Sequence, residues 1–223
     1  AISAFFFNDF IKIFKSCLSD IFSKTSYKDF GAESKLGIYI IIGMVPAGIA
    51  GFLLESYLET VFRSVYFMML FLVLGSLLML YAESKKESSE NLLTEDKALK
   101  IGLFQVLALL PGFSRSGSTI SGGMILGLSR ERATRFSFLM SVPIVFAAGI
   151  YKLFSSYSLI NTISMPILLT GFFTSFTVGI FSIKILLNFV KTRDLKMFVW
   201  YRILLVLIDR KSTRLNSSHG KLS

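Results

Sequence analysis

Residues Pro111 to Thr119 read Pro-Gly-Phe-Ser-Arg-Ser-Gly-Ser-Thr, a set of residue types that suits an anionic phosphate group. The guanidinium of Arg115 offers a planar fork that matches phosphate bidentately, as a lysine would not. Ser114, Ser116, Ser118 and Thr119 carry hydroxyl donors, and Gly112 and Gly117 permit the backbone to turn its N–H groups inward. A helix beginning near Thr119 would bring its positive end to the same place. No acidic residue lies within fifteen positions of Arg115 on either side, so its charge needs a partner from another helix, from water or from a ligand. On residue types alone two readings stay open: an anion site, or a helix break in which Arg115 clamps neighbouring helices. Gln105, apolar-flanked two turns before the motif, either supports it or is satisfied by a neighbouring helix.

The elements around the motif must hold it inside a bilayer. Of the 223 residues 53% are hydrophobic and 23 are Phe, and mean hydropathy is +0.65. Several runs approach the roughly 20 apolar residues that cross a membrane as a helix. This excludes a soluble domain and predicts an all-α, polytopic membrane bundle. The net charge of +10 falls mostly between apolar runs, which reads as topology signalling and lipid headgroup contact rather than nucleic-acid binding. Cys17 stands alone, so no intrachain disulfide forms, and no Cys/His metal cluster exists, since His219 is the only histidine.

The spans are expected at 36–54, 65–82, 136–154 (interrupted by Pro143), 165–187 and, shortened, 197–208. Ala1 to Phe14 reads as the end of a helix. Gly43, Ala47 and Gly51, and again Gly171, Ser175 and Gly179, place small residues at the four-residue spacing that lets helices approach closely in lipid. Residue 1 is Ala rather than Met, so a fragment or processed chain is expected. The polar stretch 209–223 is expected to be a non-native tail, the alternative being a short basic tail.

Lys and Arg place 12–35, 83–100, 130–135 and 191–196 on the cytoplasmic side, with 55–64 and 155–164 outside. Arg130, Arg132 and Arg135 are read as topology determinants, and Arg202 as an interhelical or interfacial contact. Residues 101–128 then begin and end on one side, which a single crossing cannot do. A re-entrant helix–loop–helix turning at Pro111-Gly112 resolves the conflict. Irregular backbone at that depth is tolerated only when buried in protein or lining a cavity.

The run Gly102-Leu-Phe-Gln-Val-Leu-Ala-Leu-Leu-Pro-Gly-Phe-Ser-Arg-Ser-Gly-Ser-Thr-Ile-Ser-Gly-Gly-Met-Ile-Leu-Gly-Leu-Ser-Arg130 closely resembles the second signature of the bacterial undecaprenyl-diphosphate phosphatases, the bacitracin-resistance membrane phosphatases. The resemblance continues through Phe136 to Pro143, reaches Tyr201-Arg202 and covers about 36–208. It implies hydrolysis of undecaprenyl diphosphate to the monophosphate, recycling the lipid carrier of peptidoglycan synthesis, in the bacterial inner membrane. It implies a bundle of two inverted repeats, each with a re-entrant hairpin, of which this chain would hold one half and part of the other. Arg115, Ser114, Ser116 and Thr119 are the implied catalytic residues; Arg115, Gly112, Gly117, Ser118 and Gln105 are expected to bind substrate. The partners are a polyprenyl diphosphate lipid and the bilayer, not nucleic acid, with a homo-oligomer allowed.

A divalent cation, Mg or Ca, is implied too. In the family the metal-associated glutamates, a serine and a histidine come from a first signature, Glu-Gly-x-x-Glu-Phe-x-Pro-x-Ser-Ser-x-Gly-His, which does not occur in this sequence. The cation's ligands are therefore expected largely outside 1–223, no metal-binding residue is assigned here, and an inactive piece is expected. A second reading, from another class, is a transporter or flippase whose hairpin binds an anionic lipid headgroup; release of phosphate separates the two.

Overall fold

The computed structural model describes residues 1–24, 26–60, 64–85, 92–157 and 164–219, without the side chains of 55, 56, 58–60 and 209–219. Among these residues the regular elements are all helical. In chain order they are α1 (Ile2–Phe5), α2 (Phe7–Phe22), α3 (Ala32–Thr60), α4 (Val65–Glu83), α5 (Glu95–Val106), α6 (Arg115–Ile125), α7 (Arg130–Ser155), α8 (Met165–Thr192) and α9 (Lys196–His219). Among the described residues α3, α4, α7 and α8 are long and apolar enough to cross a membrane. Their exposed Phe, Leu and Ile side chains, such as Phe52, Leu77, Phe146 and Phe172, suit contact with lipid.

The helices are longer than the apolar runs that announce them. Capping sets their ends: Ser129 accepts a hydrogen bond from the Arg132 N–H at 3.2 Å, so α7 starts at Arg130 rather than at 136. It then runs through Pro143 unbroken. The N-terminal segment is two helices parted at Phe6 instead of one helix end. α9 continues helically past Ile208 to His219; the side chains that would bear on the origin of 209–223 lie outside the described residues.

The expected hairpin is present as α5 and α6, which pack on each other. With 12 and 11 residues, they are ~18 and ~16 Å long at 1.5 Å per residue. Each reaches about half of a ~30 Å hydrocarbon core. Thr94 caps α5, accepting from the Lys97 N–H at 3.3 Å, and Glu95 and Asp96 favour its first turn. α6 ends in a Schellman motif: Leu128 N–H donates to the Gly123 carbonyl at 3.0 Å and Gly127 N–H to that of Met124 at 2.9 Å. Gly127 takes the left-handed conformation there, at φ +87°.

The α6 arm is enclosed, while α5 leaves Leu99 and Leu103 exposed. α3 lies against α5, α4 and α7 lie against α6, and α9 covers α4. At the α3–α5 crossing a Cβ on Gly102 would sit 2.5 Å from the Gly43 carbonyl oxygen, so the two backbones touch there. On α8 the corresponding row does little: Gly171 has no neighbour within 4 Å, and only Gly179 meets another element, at Ala1.

One end of the bundle is tied by charge. Glu83, at the end of α4 and with 7% of its side chain exposed, accepts the guanidinium fork of Arg130 at 2.9 and 2.6 Å. It also accepts the Leu195 N–H at 2.7 Å. The starts of α7 and α9 are thereby joined to the end of α4, which gathers three of the expected same-side connections. Arg135 also pairs with Asp9 of α2, and Lys191 of α8 with Glu131 of α7. Lys196, hydrogen-bonded to Asp194, holds that carboxyl below its usual range, with Arg130 adding a smaller effect.

A candidate phosphate site at the hairpin tip

The tip is built from two residues in positive-φ backbone. Gly112 has φ +89°, and a Cβ there would meet the Met68 carbonyl at 2.7 Å. Ser114 has φ +78° although it is not glycine, a conformation that costs about 1–3 kcal/mol and persists only where its surroundings enforce it. Part of the compensation is local. Ser114 is the N-cap of α6, its Oγ accepting the Gly117 N–H at 3.2 Å. Ser114→Ala therefore removes the cap and keeps the strain, and should lower stability by about 1–2 kcal/mol. Ser114→Gly removes both, and should unfold later than the alanine variant in a thermal melt.

The cap leaves the N–H groups of Ser114, Arg115 and Ser116 without acceptors among the described residues. They open a helix N-terminus, where backbone dipoles favour an anion. Arg115 Nη1 is buried and has no hydrogen-bond partner, and neither has the amide nitrogen or oxygen of Gln105, a residue 2% exposed. Arg115 and Gln105 line one cavity of about 240 Å³, walled by Met44, Ala47 and Ile144. Buried polar groups are nearly always paired; two residues with unpaired groups in the lining of one cavity mark a place for something else. No acid pairs with Arg115 among the described residues, so the clamp reading of this residue has no contact to support it.

The other expected residues divide. Ser114, Ser116, Gly112 and Gly117 line a second cavity, about 270 Å³, which shares no lining residue with the first, with Leu72, Tyr201 and Arg202. The Ser116 hydroxyl has no protein partner among the described residues. Ser118 and Thr119 are turned inward: their hydroxyls donate to the Arg115 carbonyl at 3.0 and 2.9 Å. The Thr119 Oγ1 also lies 2.6 Å from the Ser137 Oγ of α7. Both are buried and line neither cavity. In this arrangement Thr119 ties α6 to α7 beneath the tip, and Ser118 bonds within α6.

Ser137 escapes a reading of the sequence, and Arg202, expected as an interhelical or interfacial contact, is an interhelical one whose partners the sequence does not name. Ser137 gives no local signal. Arg202 is visible as a charge in an apolar run, but its partners lie 89 to 130 residues away. Its Nη1 donates to the Phe113 carbonyl at 3.0 Å, and its Nη2 to those of Gly112 at 2.7 Å and Leu72 at 3.0 Å. Among the described residues no three or more His, Cys, Asp or Glu side chains gather as a metal site.

A family model described as bacitracin resistance protein BacA matches residues 1–208. A protein of Chloroherpeton thalassium named undecaprenyl-diphosphatase is 38% identical over 223 residues, covering 92% of this chain and 76% of its own. One of the same name from Methanosphaera stadtmanae is 36% identical, covering 93% of this chain and 78% of its own. Another, from Bacillus subtilis, is 38% identical over 174 residues, 76% of this chain and 63% of its own. With the hairpin, its half-buried arginine and these relatives together, the chain belongs to the BacA family of bacitracin resistance proteins.

Proposed function

We infer that this is a membrane-embedded phosphatase that hydrolyses undecaprenyl diphosphate to undecaprenyl phosphate and inorganic phosphate. The observation that carries it is Arg115, whose buried Nη1 has no protein partner beside three unpaired N–H groups. A buried cation is costly alone, and a diphosphate supplies both the charge and the acceptors. In the reaction a water oxygen ends on the terminal phosphorus, and its protons leave with the released inorganic phosphate. The bond from that phosphorus to the bridging oxygen breaks, and the electron pair leaves with the lipid monophosphate. Charge spreads over the phosphoryl and bridging oxygens, where fixed donors count most.

The roles we assign follow from position. Arg115 holds the diphosphate, with Gln105 as a further donor on the same wall. Ser114, Ser116 and the amides of 114–116 donate to phosphoryl oxygens, while Gly112 and Gly117 let the chain approach. Ser118 and Thr119 keep the tip in shape. The divalent cation implied by the resemblance finds no ligand set among the described residues, and no step is drawn through it. The reading extends to carrier recycling for peptidoglycan in the bacterial inner membrane, with a homo-oligomer allowed. The comparisons lend no support to an inactive piece, and the transporter reading has no observation of its own.

The test is phosphate release from a polyprenyl diphosphate by the whole protein in detergent micelles. Release is expected. Binding of the lipid without release, in a folded preparation, would overturn phosphatase activity in favour of a carrier.

A further inference from the structure

We propose that Arg202 is a positioning residue for the phosphate site: it fixes the 113–114 peptide so that the Ser114 N–H faces the ligand. The proposal rests on the reading of the hairpin tip given above. Arg202 is 7% exposed and sits on α9. Its Nη1 takes the Phe113 carbonyl at 3.0 Å. Because the peptide unit is planar and trans, the Ser114 N–H points the opposite way, away from Arg202. That N–H has no acceptor among the described residues, so it is left for a bound anion.

The alternative orientation is a peptide flip, which changes ψ of residue 113 and φ of residue 114 together. Flipping would carry Ser114 from φ +78° to a negative φ, the region serine prefers. The flip thus relieves local strain, and something must oppose it. Arg202 does so twice over. A flipped peptide loses the charge-assisted bond from Nη1 and turns an N–H toward the guanidinium. It also aims the Phe113 carbonyl at the phosphate, where like partial charges repel. The bond from Nη2 to the Gly112 carbonyl at 2.7 Å holds the preceding peptide in the same sense.

α4 makes room for this reach. A Cβ at Gly75 would lie 2.5 Å from the Phe113 oxygen and 2.6 Å from Arg202 Nη2. Gly75→Ala therefore displaces the clamp while residue 202 stays an arginine. The Leu72 carbonyl, 3.0 Å from Nη2, anchors the guanidinium to the same helix.

Losing one preorganised donor lowers turnover by roughly 10²–10³-fold. Arg202→Gln should show that drop in kcat for polyprenyl diphosphate hydrolysis. Arg202→Lys, which keeps a charged donor for the carbonyls, should recover a good part of it. Gly75→Ala should resemble Arg202→Gln, and the double variant should be no slower than either alone, because both remove one device. In the ¹⁵N-labelled protein the Ser114 amide resonance should shift on adding inorganic diphosphate, and should lose that response in Gly75→Ala. Arg115→Ala serves as the control for the site: activity retained there overturns the phosphate-site reading itself. If Arg115→Ala is inactive while folded Arg202→Gln and Gly75→Ala stay within twofold of wild type, the positioning role is wrong. Should Arg202→Gln fail to fold, Arg202→Lys and Gly75→Ala decide, and an unchanged Ser114 response in Gly75→Ala overturns the proposal.

Discussion

Arg115→Ala is expected to lower phosphate release from polyprenyl diphosphate by about a thousandfold or more, the range seen when an arginine that meets transition-state phosphoryl charge is lost. The same variant should melt no earlier than wild type. Arg115 Nη1 makes no protein hydrogen bond, so truncation removes an unsatisfied buried donor rather than a bonded one. A structural clamp would behave in the opposite way, with stability falling first. Activity and thermal unfolding measured together therefore separate the two readings that residue types leave open. Arg115→Lys keeps the charge but not the fork and should fall between wild type and alanine. Near-normal turnover in Arg115→Ala would remove the residue from the mechanism.

The largest stability effect is expected at Glu83. Its carboxylate holds the Arg130 fork and the Leu195 N–H while almost excluded from solvent. Breaking a buried pair by changing one partner leaves the other charge uncompensated, typically at 3–5 kcal/mol. Arg130 keeps 26% of its side chain exposed, so water recovers part of that, and about 3 kcal/mol is the expectation for Glu83→Gln. Replacing both partners with apolar residues, as in Glu83→Leu with Arg130→Met, should recover most of the loss. Denaturant unfolding in micelles reads both values; additive losses in the double variant would show that the pair does not act as one unit. Activity should fall as well. Leu195 immediately precedes α9, and Arg202 lies two turns further along that helix, so loosening the corner loosens the hold on the tip.

How much of this was legible depends on the range of each interaction. The hairpin was, because the alternation of charged loops leaves 101–128 with no way to cross, and Pro111-Gly112 supplies the turn. Arg115 stands out in the sequence as an isolated charge among apolar residues, and the structure leaves its Nη1 without a partner. Helix ends were less legible: hydropathy measures the hydrocarbon it must match, whereas Ser129 and Thr94 set starts by capping. Ser118 and Thr119 look like ligand donors in a list of residue types. On a helix their hydroxyls reach back three and four residues to the Arg115 carbonyl instead. Arg202 and Glu83 were illegible as partners, since their contacts join positions 47 to 130 residues apart.

The two short arms of the hairpin set more than a shape. At ~16–18 Å, each arm is about twice as long as the ~8 Å over which mobile ions damp a field at physiological salt. Charges on the surface of the bundle are dimmed by the electrolyte around them. The charge of Arg115 is dimmed less, because packed helices cover part of the side chain and shut its Nη1 off from solvent. Its pull on an anion at the tip is thus expected to vary less with ionic strength than the pull of the surface charges does.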